Sequence, residues 1–261
     1  MSQTRQRSTD PADYQRVPRA VAAMPKDFAS GFVIQPHSHE RAQFIYATAG
    51  TMRVAADGSM WVVPPQRALW MPAGVEHGIT MLSDVTMRTL YLRDDAAAAM
   101  PLSCRVLPVS PLLRELIVRA TELPLQYDED GPAGHVIALL LAELHGLQSL
   151  PLQLPMPQEP RLRALCLALL AAPGDQRTLR EWAQSVNASE RTVARLFQNE
   201  TGLSFGAWRQ QARLLEAMGR LGSGAPVTQV ALDLGYDSVS AFSAMFRRAA
   251  GASPSAYRHR T

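Results

Sequence analysis

The sequence predicts a two-domain α+β chain. An N-terminal β-barrel with trailing helices is expected to precede an all-α C-terminal domain, in which a long helix joins two helix-turn-helix units. Three observations carry the prediction. Short strand-like runs separated by turn residues fill residues 28–92. Apolar residues at helical spacing take over after Asp94. Near the C-terminus one device occurs twice: Gly202-Leu203-Ser204-Phe205-Gly206-Ala207-Trp208-Arg209 recurs as Gly251-Ala252-Ser253-Pro254-Ser255-Ala256-Tyr257-Arg258.

Composition sets the bounds. The 261 residues suffice for two domains, and 47% hydrophobic with 19% charged residues is ordinary globular usage. No apolar run approaches the ~18 residues that read as a membrane span, so no membrane partner is expected. Residues 1–13 lack the apolar core of a secretion signal, and Cys104 and Cys166 lie in apolar-rich segments as reduced core residues. Together these features predict a cytoplasmic protein. Charge is uneven. Residues 161–261 hold thirteen arginines against seven carboxylates, a net +6, while the remainder is −3. A basic C-terminal third beside an acidic remainder predicts that one domain meets a polyanion.

The elements follow in order. Residues 1–25 read as a flexible tail and 26–100 as the barrel. Strands are expected at Phe32-Val33-Ile34, Gln43-Phe44-Ile45-Tyr46, 51–54, 60–63, 69–71 and 87–92, broken by Ala56-Asp57-Gly58, Pro64-Pro65 and Pro72-Ala73-Gly74. Residues 101–150 form a helical region, with helices at 111–123 and 134–150. The second carries Val136, Ile137, Leu139, Leu140, Leu141, Leu144 and Leu147. An apolar surface that wide must be buried, in its own core or against a second copy, and the region is assigned to homodimerisation. Residues 151–160, with four prolines, read as the linker to a DNA-binding domain at 161–261.

Within that domain, Leu179, Trp182, Ala183 and Val186 form the inner face of a supporting helix capped by Thr178. After Asn187-Ala188, Ser189 caps a second helix whose Val193, Leu196 and Phe197 pack inward. Ser189, Arg191, Thr192, Ala194, Arg195 and Gln198 are its expected DNA contacts. Arg191 and Arg195 stand four apart on one side, suited to guanine O6 and N7 in a major groove. The second unit repeats the pattern with Val227, Val230, Ala231 and Leu234, a turn at Gly235-Tyr236-Asp237, and a helix capped by Ser238. Its core side is Phe242, Met245 and Phe246. Its expected contacts are Ser238, Val239, Ser240 and Ser243, with Arg247 and Arg248 suited to phosphate. The helix between the units spans ~17 residues, or ~25 Å at 1.5 Å per residue, against ~34 Å between successive major-groove segments.

These residues resemble the AraC/XylS family of bacterial transcription regulators. The likeness runs from Ser189-Glu190-Arg191-Thr192-Val193-Ala194-Arg195-Leu196-Phe197 through Gly202-Leu203-Ser204, Ala212-Arg213-Leu214, Val230-Ala231 and Gly235-Tyr236-Asp237-Ser238-Val239-Ser240-Ala241-Phe242. It ends with Phe246-Arg247-Arg248 and Gly251-Ala252-Ser253-Pro254. The resemblance implies promoter binding by both units, and contact with RNA polymerase for an activator. Ala244 stands where the second unit often has Arg, which puts more weight on the first helix.

In the N-terminal part, Gly31-x5-His37-x-His39-x3-Gln43-x6-Gly50 and Pro72-x-Gly74-x2-His77 resemble the two cupin motifs. The resemblance implies that His37, His39, Gln43 and His77 converge on one divalent metal, with Zn, Ni, Fe and Cu all compatible with imidazole. Gln43 replaces the usual Glu, which removes the anionic ligand. A metal-free barrel with internally bonded histidines is the alternative. Phe44, Tyr46, Trp70 and Tyr91 are assigned to a pocket for a small-molecule effector, with Arg53 as an anchor for an anionic one.

The expected function is therefore a non-enzymatic regulator: the barrel senses a metal or small molecule and the basic domain holds the promoter. The resemblance extends to a subgroup with this layout, some of whose members control export or detoxification genes, and it implies such a target here. The alternatives are a cupin dioxygenase or isomerase fused to a DNA-binding domain, and a constitutive nucleoid-type binder. No candidate ligand is a carboxylate, and Glu76 beside His77 is too little for general-base chemistry.

Overall fold

The computed structural model describes residues 8–148 and 154–258. The chain divides into two compact units, residues 1–57 with 63–151 and residues 58–62 with 152–261.

In the first unit, α1 (Ala12–Gln15) and β1 (Val21–Phe28) precede β2 (Val33–His37), β3 (Ala42–Ala49) and β4 (Met52–Ala56); β5 (Ser59–Val63) follows in the chain and belongs to the second unit as far as Val62. Then come β6 (Arg67–Met71), β7 (His77–Met81), β8 (Val85–Leu92), α2 (Asp94–Ala97), β9 (Arg105–Pro108), α3 (Pro111–Glu122) and α4 (Pro132–His145). Five strands form an antiparallel sheet in the order β1-β8-β3-β6-β9. A second sheet contains β4, β7 and β2, paired antiparallel. This is the two-sheeted cupin-like architecture expected. Gly50 opens the two-residue connection between β3 and β4. Its φ is +81°, and a Cβ there would lie 2.0 Å from the Asp84 carbonyl oxygen, so a side chain is excluded twice over.

Two expected boundaries are corrected. The segment read as a tail is built into the domain beyond residues 1–7, which lie outside the described residues. Tyr14 is fully buried against Tyr91, with ring centroids 6.0 Å apart. The buried Arg41 clamps the segment by donating to the carbonyls of Gln15 (2.8 Å), Arg19 (3.0 Å) and Val17. All of β1 pairs with β8, from Val21 opposite Leu92 to Phe28 opposite Val85. At the other end, β9 extends the same sheet to Pro108, past the expected limit at 100.

The helices follow their sequence signals. Ser110 caps α3, its hydroxyl accepting from the Leu113 N–H, with Pro111 in the first turn. α4 ends at His145, short of the expected 150, with Gly146 closing it; residues 149 and 150 lie outside the described residues. Ile137, Leu140 and Leu144 are buried, and Val136, Leu141 and Leu147 pack against the same cluster. Internal packing thus accounts for all of the broad apolar surface except Leu139, which is 47% exposed.

The second unit opens with β10 (Leu154–Pro155), which pairs with Met60 and Ser59 of β5. It continues with α5 (Pro160–Ala171), α6 (Leu179–Ser185), α7 (Glu190–Thr201), α8 (Phe205–Gly222), α9 (Val227–Asp233), α10 (Val239–Ala250) and α11 (Pro254–Arg258). The proline-rich 151–160 segment is therefore not all free linker. Pro155 has no N–H to give, but its carbonyl accepts from the indole of buried Trp208 (2.7 Å). Residues 151–153 of that segment lie outside the described residues.

The duplication is written in the backbone. Ala188 N–H bonds Ala183 O as Tyr236 N–H bonds Ala231 O, each at 3.0 Å. Gly202 and Gly251 end α7 and α10 with φ of +70° and +74°, the left-handed close that glycine permits without strain. Ser204 and Ser253 then accept from Ala207 N–H and Ala256 N–H to start the next helix. Trp208 and Tyr257, the paired aromatics, are both buried.

Candidate DNA interface and effector site

In the first helix-turn-helix unit a capping box fixes the start of α6. Thr178 accepts from Glu181 N–H, and the Glu181 carboxylate accepts from Thr178 N–H. Asn187 turns the chain with φ +52°, and Ser189 caps α7 by accepting from Thr192 N–H (3.1 Å). Val193 and Phe197 are buried and Leu196 half-buried, which orients the rest of the helix outward. Arg191, Ala194, Arg195 and Gln198 are exposed, and among the described residues neither arginine has an ion-pair partner. Ser189 and Thr192 differ from them: their hydroxyls lie 2.8 Å apart and are engaged in the cap. Gln198 spends its amide on Gly202 O (3.2 Å).

In the second unit Ser238 caps α10, accepting from Ala241 N–H (3.1 Å). Phe242, Met245 and Phe246 are buried. Ser240, Ser243, Ala244, Arg247 and Arg248 line an open groove of about 460 Å³ along the outer face of α10. Val239 is 36% exposed at its start. The two outward faces thus differ in chemistry: Arg191 and Arg195 lie in the first half of α7, whereas α10 carries small polar groups first and its arginines only in its last turn. α8, which joins the units, has 18 residues and spans ~27 Å at 1.5 Å per residue.

The N-terminal compact unit brings three histidines together. His37 ends β2, His77 begins β7 directly opposite it, and His39 follows two residues on. Their ligand nitrogens all lie within 4.8 Å of one another. The Gln35 carbonyl accepts from His37 Nδ1–H (2.8 Å) and the Val75 carbonyl from His77 Nδ1–H (3.0 Å). These bonds fix both tautomers with Nε2 as the free lone pair. His37 Nε2 lies 3.1 Å from His39 Nε2, whereas His77 Nε2 is buried without a partner among the described residues. Burial, reinforced by the neighbouring rings His37 and His77, lowers the His39 pKa to about 4. Burial also lowers His77 to about 4, against the opposing pull of the Val75 carbonyl. At neutral pH both are uncharged imidazoles, the form that ligates metal.

Gln43 enters from β3. Its amide nitrogen lies 3.1 Å from Thr89 Oγ1 and 3.3 Å from the Tyr91 hydroxyl, while its Oε1 is buried and unpartnered among the described residues. Tyr91 connects it to the histidines, its ring meeting His39 edge-on with centroids 5.0 Å apart.

Two family models divide the chain. Residues 29–177 match an AraC-like ligand binding domain, and residues 182–260 match a helix-turn-helix domain. The first match alone covers more than half of the chain.

The chain belongs to the AraC family.

It is an AraC-family transcription regulator with an N-terminal ligand-binding domain and a helix-turn-helix DNA-binding domain. Among similar proteins, the HTH-type transcriptional regulator NimR of Escherichia coli K12 is 36% identical over 221 residues, covering 85% of this chain and 81% of that one. The arabinose operon regulatory protein of Escherichia coli K12 is 28% identical over 138 residues, covering 49% of this chain and 46% of that one. The structure of apo ToxT K231A from Vibrio cholerae aligns over 92% of this chain and 97% of that one at 9% identity, with a TM-score of 0.40.

The expected effector pocket of this AraC-family chain is corrected. Phe44, Tyr46 and Trp70 are essentially unexposed, but they face α3 and α4, in one cluster with Leu113, Ile117 and Leu140. Strand alternation puts Gln43 on the opposite side of β3, with Thr89 and Tyr91 of β8. Of the four aromatics, only Tyr91 shares the histidine side. Arg53 is half-buried and alternates out of phase with the buried Met52, Val54 and Ala56, so it does not share their face of β4. The carbonyls of Gln35 and Val75, which orient the rings, have no side-chain signature and could not be read in advance.

Proposed function

We propose that this AraC-family regulator binds one divalent transition metal through His37, His39 and His77, with the Gln43 side-chain oxygen as a fourth donor, and responds to that metal or to an effector anchored on it. The orphaned His77 Nε2 carries the proposal. A buried polar atom left without a partner costs ~1–3 kcal/mol, and a cation is the partner that three neutral imidazoles suit. Carbonyl bonds behind two of the rings are the usual outer support of metal-ligating histidines. The metal would supply a positive Lewis-acidic centre in a site with no carboxylate. Glu76 is exposed beside it, so the arrangement favours sensing over catalysis.

At the other end, Arg191 and Arg195 are proposed as base-reading groups of α7, with Ser240 and Ser243 giving weaker readout from α10 and Arg247 and Arg248 meeting phosphate. Ser189, Thr192 and Ser238 act mainly as helix caps, and a homodimer through α4 draws on Leu139 alone.

Elemental analysis of protein purified without an affinity tag tests the sensor. About one equivalent of metal, lost in His77→Ala, is expected; metal far below one equivalent in the unaltered chain overturns it. Footprinting on the region upstream of its own coding sequence, with and without the bound metal, tests the regulatory link.

A further inference from the structure

The DNA-binding unit holds a charged feature beyond its two outward helix faces. A cleft of about 300 Å³ between α8 and α10 is lined by Arg209, Gln210 and Arg213 from α8, by Tyr236, and by Met245 and Arg248 from α10. No carboxylate is among its lining residues. The arginines are held in place by uncharged groups. Arg213 is buried, 9% exposed, and donates to the carbonyls of Pro173 (2.8 Å) and Asp175 (3.0 Å). Arg209 donates to Arg177 O (2.9 Å) and lies over the Phe205 ring, 5.0 Å from its centroid. A guanidinium has five N–H donors, so each keeps several after these bonds. The nearby Asp175 carboxylate is engaged by Arg177 at 2.8 Å. Two held guanidiniums and the exposed Arg248 therefore border one opening, and the ligand they suit is an anion with several acceptor oxygens.

The position of the cleft selects the source of that anion. Arg248 lines both this cleft and the groove along the outer face of α10. A strand whose bases face Ser240 and Ser243 must carry its backbone across that shared ridge. We infer that the cleft seats a backbone phosphate of the DNA strand read by α10, with Arg209, Gln210 and Arg248 as its contacts and Arg213 and Tyr236 as its floor. The inference rests on the proposal that α10 meets DNA. It gives the joining helix a binding role of its own: the seat fixes the height of α10 over the groove, which small serine side chains need because their reach is short.

The test measures affinity of the full chain for a short random-sequence duplex across a salt series, since a phosphate contact acts on any sequence. Arg209→Gln is expected to weaken binding and to flatten the log–log salt dependence by ~0.9, the value of one phosphate. Arg209→Lys should keep the slope, and Arg163→Gln, an exposed charge on α5, should leave it unchanged. Gln210→Glu places a negative charge at an exposed position without removing a bond, and should weaken binding severalfold in a folded protein. Wild-type slopes and affinities in Arg209→Gln and Gln210→Glu, beside a reduced slope in Arg247→Gln, overturn the seat while α10 still meets DNA. No change in Arg247→Gln either would overturn the α10 reading itself. Binding of inorganic phosphate at fixed ionic strength that is lost in Arg209→Gln, with unchanged duplex slopes, assigns the cleft to a free anion and also overturns the seat.

Discussion

Asn187 and Gly235, 48 positions apart, occupy the same corner of the two helix-turn-helix units, and both have left-handed backbone, with φ of +52° and +74°. Their surroundings differ. A Cβ on Gly235 would lie 2.7 Å from the Gly174 carbonyl oxygen and 2.3 Å from the Gln176 amide, whereas Asn187 already carries a side chain. Asn187→Ala should cost ~1 kcal/mol, the ordinary penalty of that conformation. Gly235→Ala should cost ~2–4 kcal/mol, because backbone must move as well. Urea unfolding followed by tryptophan fluorescence compares them, and equal losses would show that the 174–176 loop yields freely.

Arg195→Ala should weaken binding to a footprinted promoter site by ~1–3 kcal/mol per lost bidentate contact. Binding to random duplex should change much less. A gel-shift titration on both duplexes decides the matter: equal loss on the two would make Arg195 a phosphate clamp and remove base reading from α7.

Arg41→Ala should cost ~2–4 kcal/mol, since three backbone carbonyls lose a charged donor at a site 6% exposed. Arg16→Ala removes only an exposed pair with Glu40, at 3.4 Å, and should stay within ~0.5 kcal/mol. Thermal unfolding of the two variants gives the comparison, and proteolysis within residues 8–20 should accelerate in the first alone.

Metal-free protein should lose stability in acid in a defined window. His39 and His77 have pKa values of about 4 in the fold against an ordinary 6.5, so between these limits the unfolded chain binds protons that the folded chain refuses. Stability therefore holds above pH 6.5 and falls as the pH drops towards 4. His77→Gln should flatten that fall, and melting temperatures that are equally flat across the window in the unaltered chain would show that the rings charge as freely in the fold as outside it.

The helical part of this fold was legible because its signals are local. Thr178, Ser189, Ser204 and Ser238 are all caps in the structure, each accepting from the N–H three residues on. The barrel was less so. In β1 the run Val21-Ala22-Ala23-Met24 is buried on both faces, so it shows no alternation, and Pro25 argued against a strand. β9 has four residues and ends in proline. The histidines could be named because two motifs carry them, but their supporting carbonyls could not. The misassigned aromatics share one cause: period-two alternation separates Gln43 from Phe44, yet it cannot tell which buried face of a strand meets helices and which meets the ligand side.

The unequal faces of α7 and α10 make the DNA-binding unit a vector. Arg191 and Arg195 belong to the unit that precedes α8 in the chain, and Ser240 and Ser243 to the unit that follows it. Turned end for end on its site, the chain would offer serines to the guanines and arginines to the bases that serine serves. On this reading the operator has a head and a tail, so reversing that site in place would exchange the promoter flanks that meet α7 and α10.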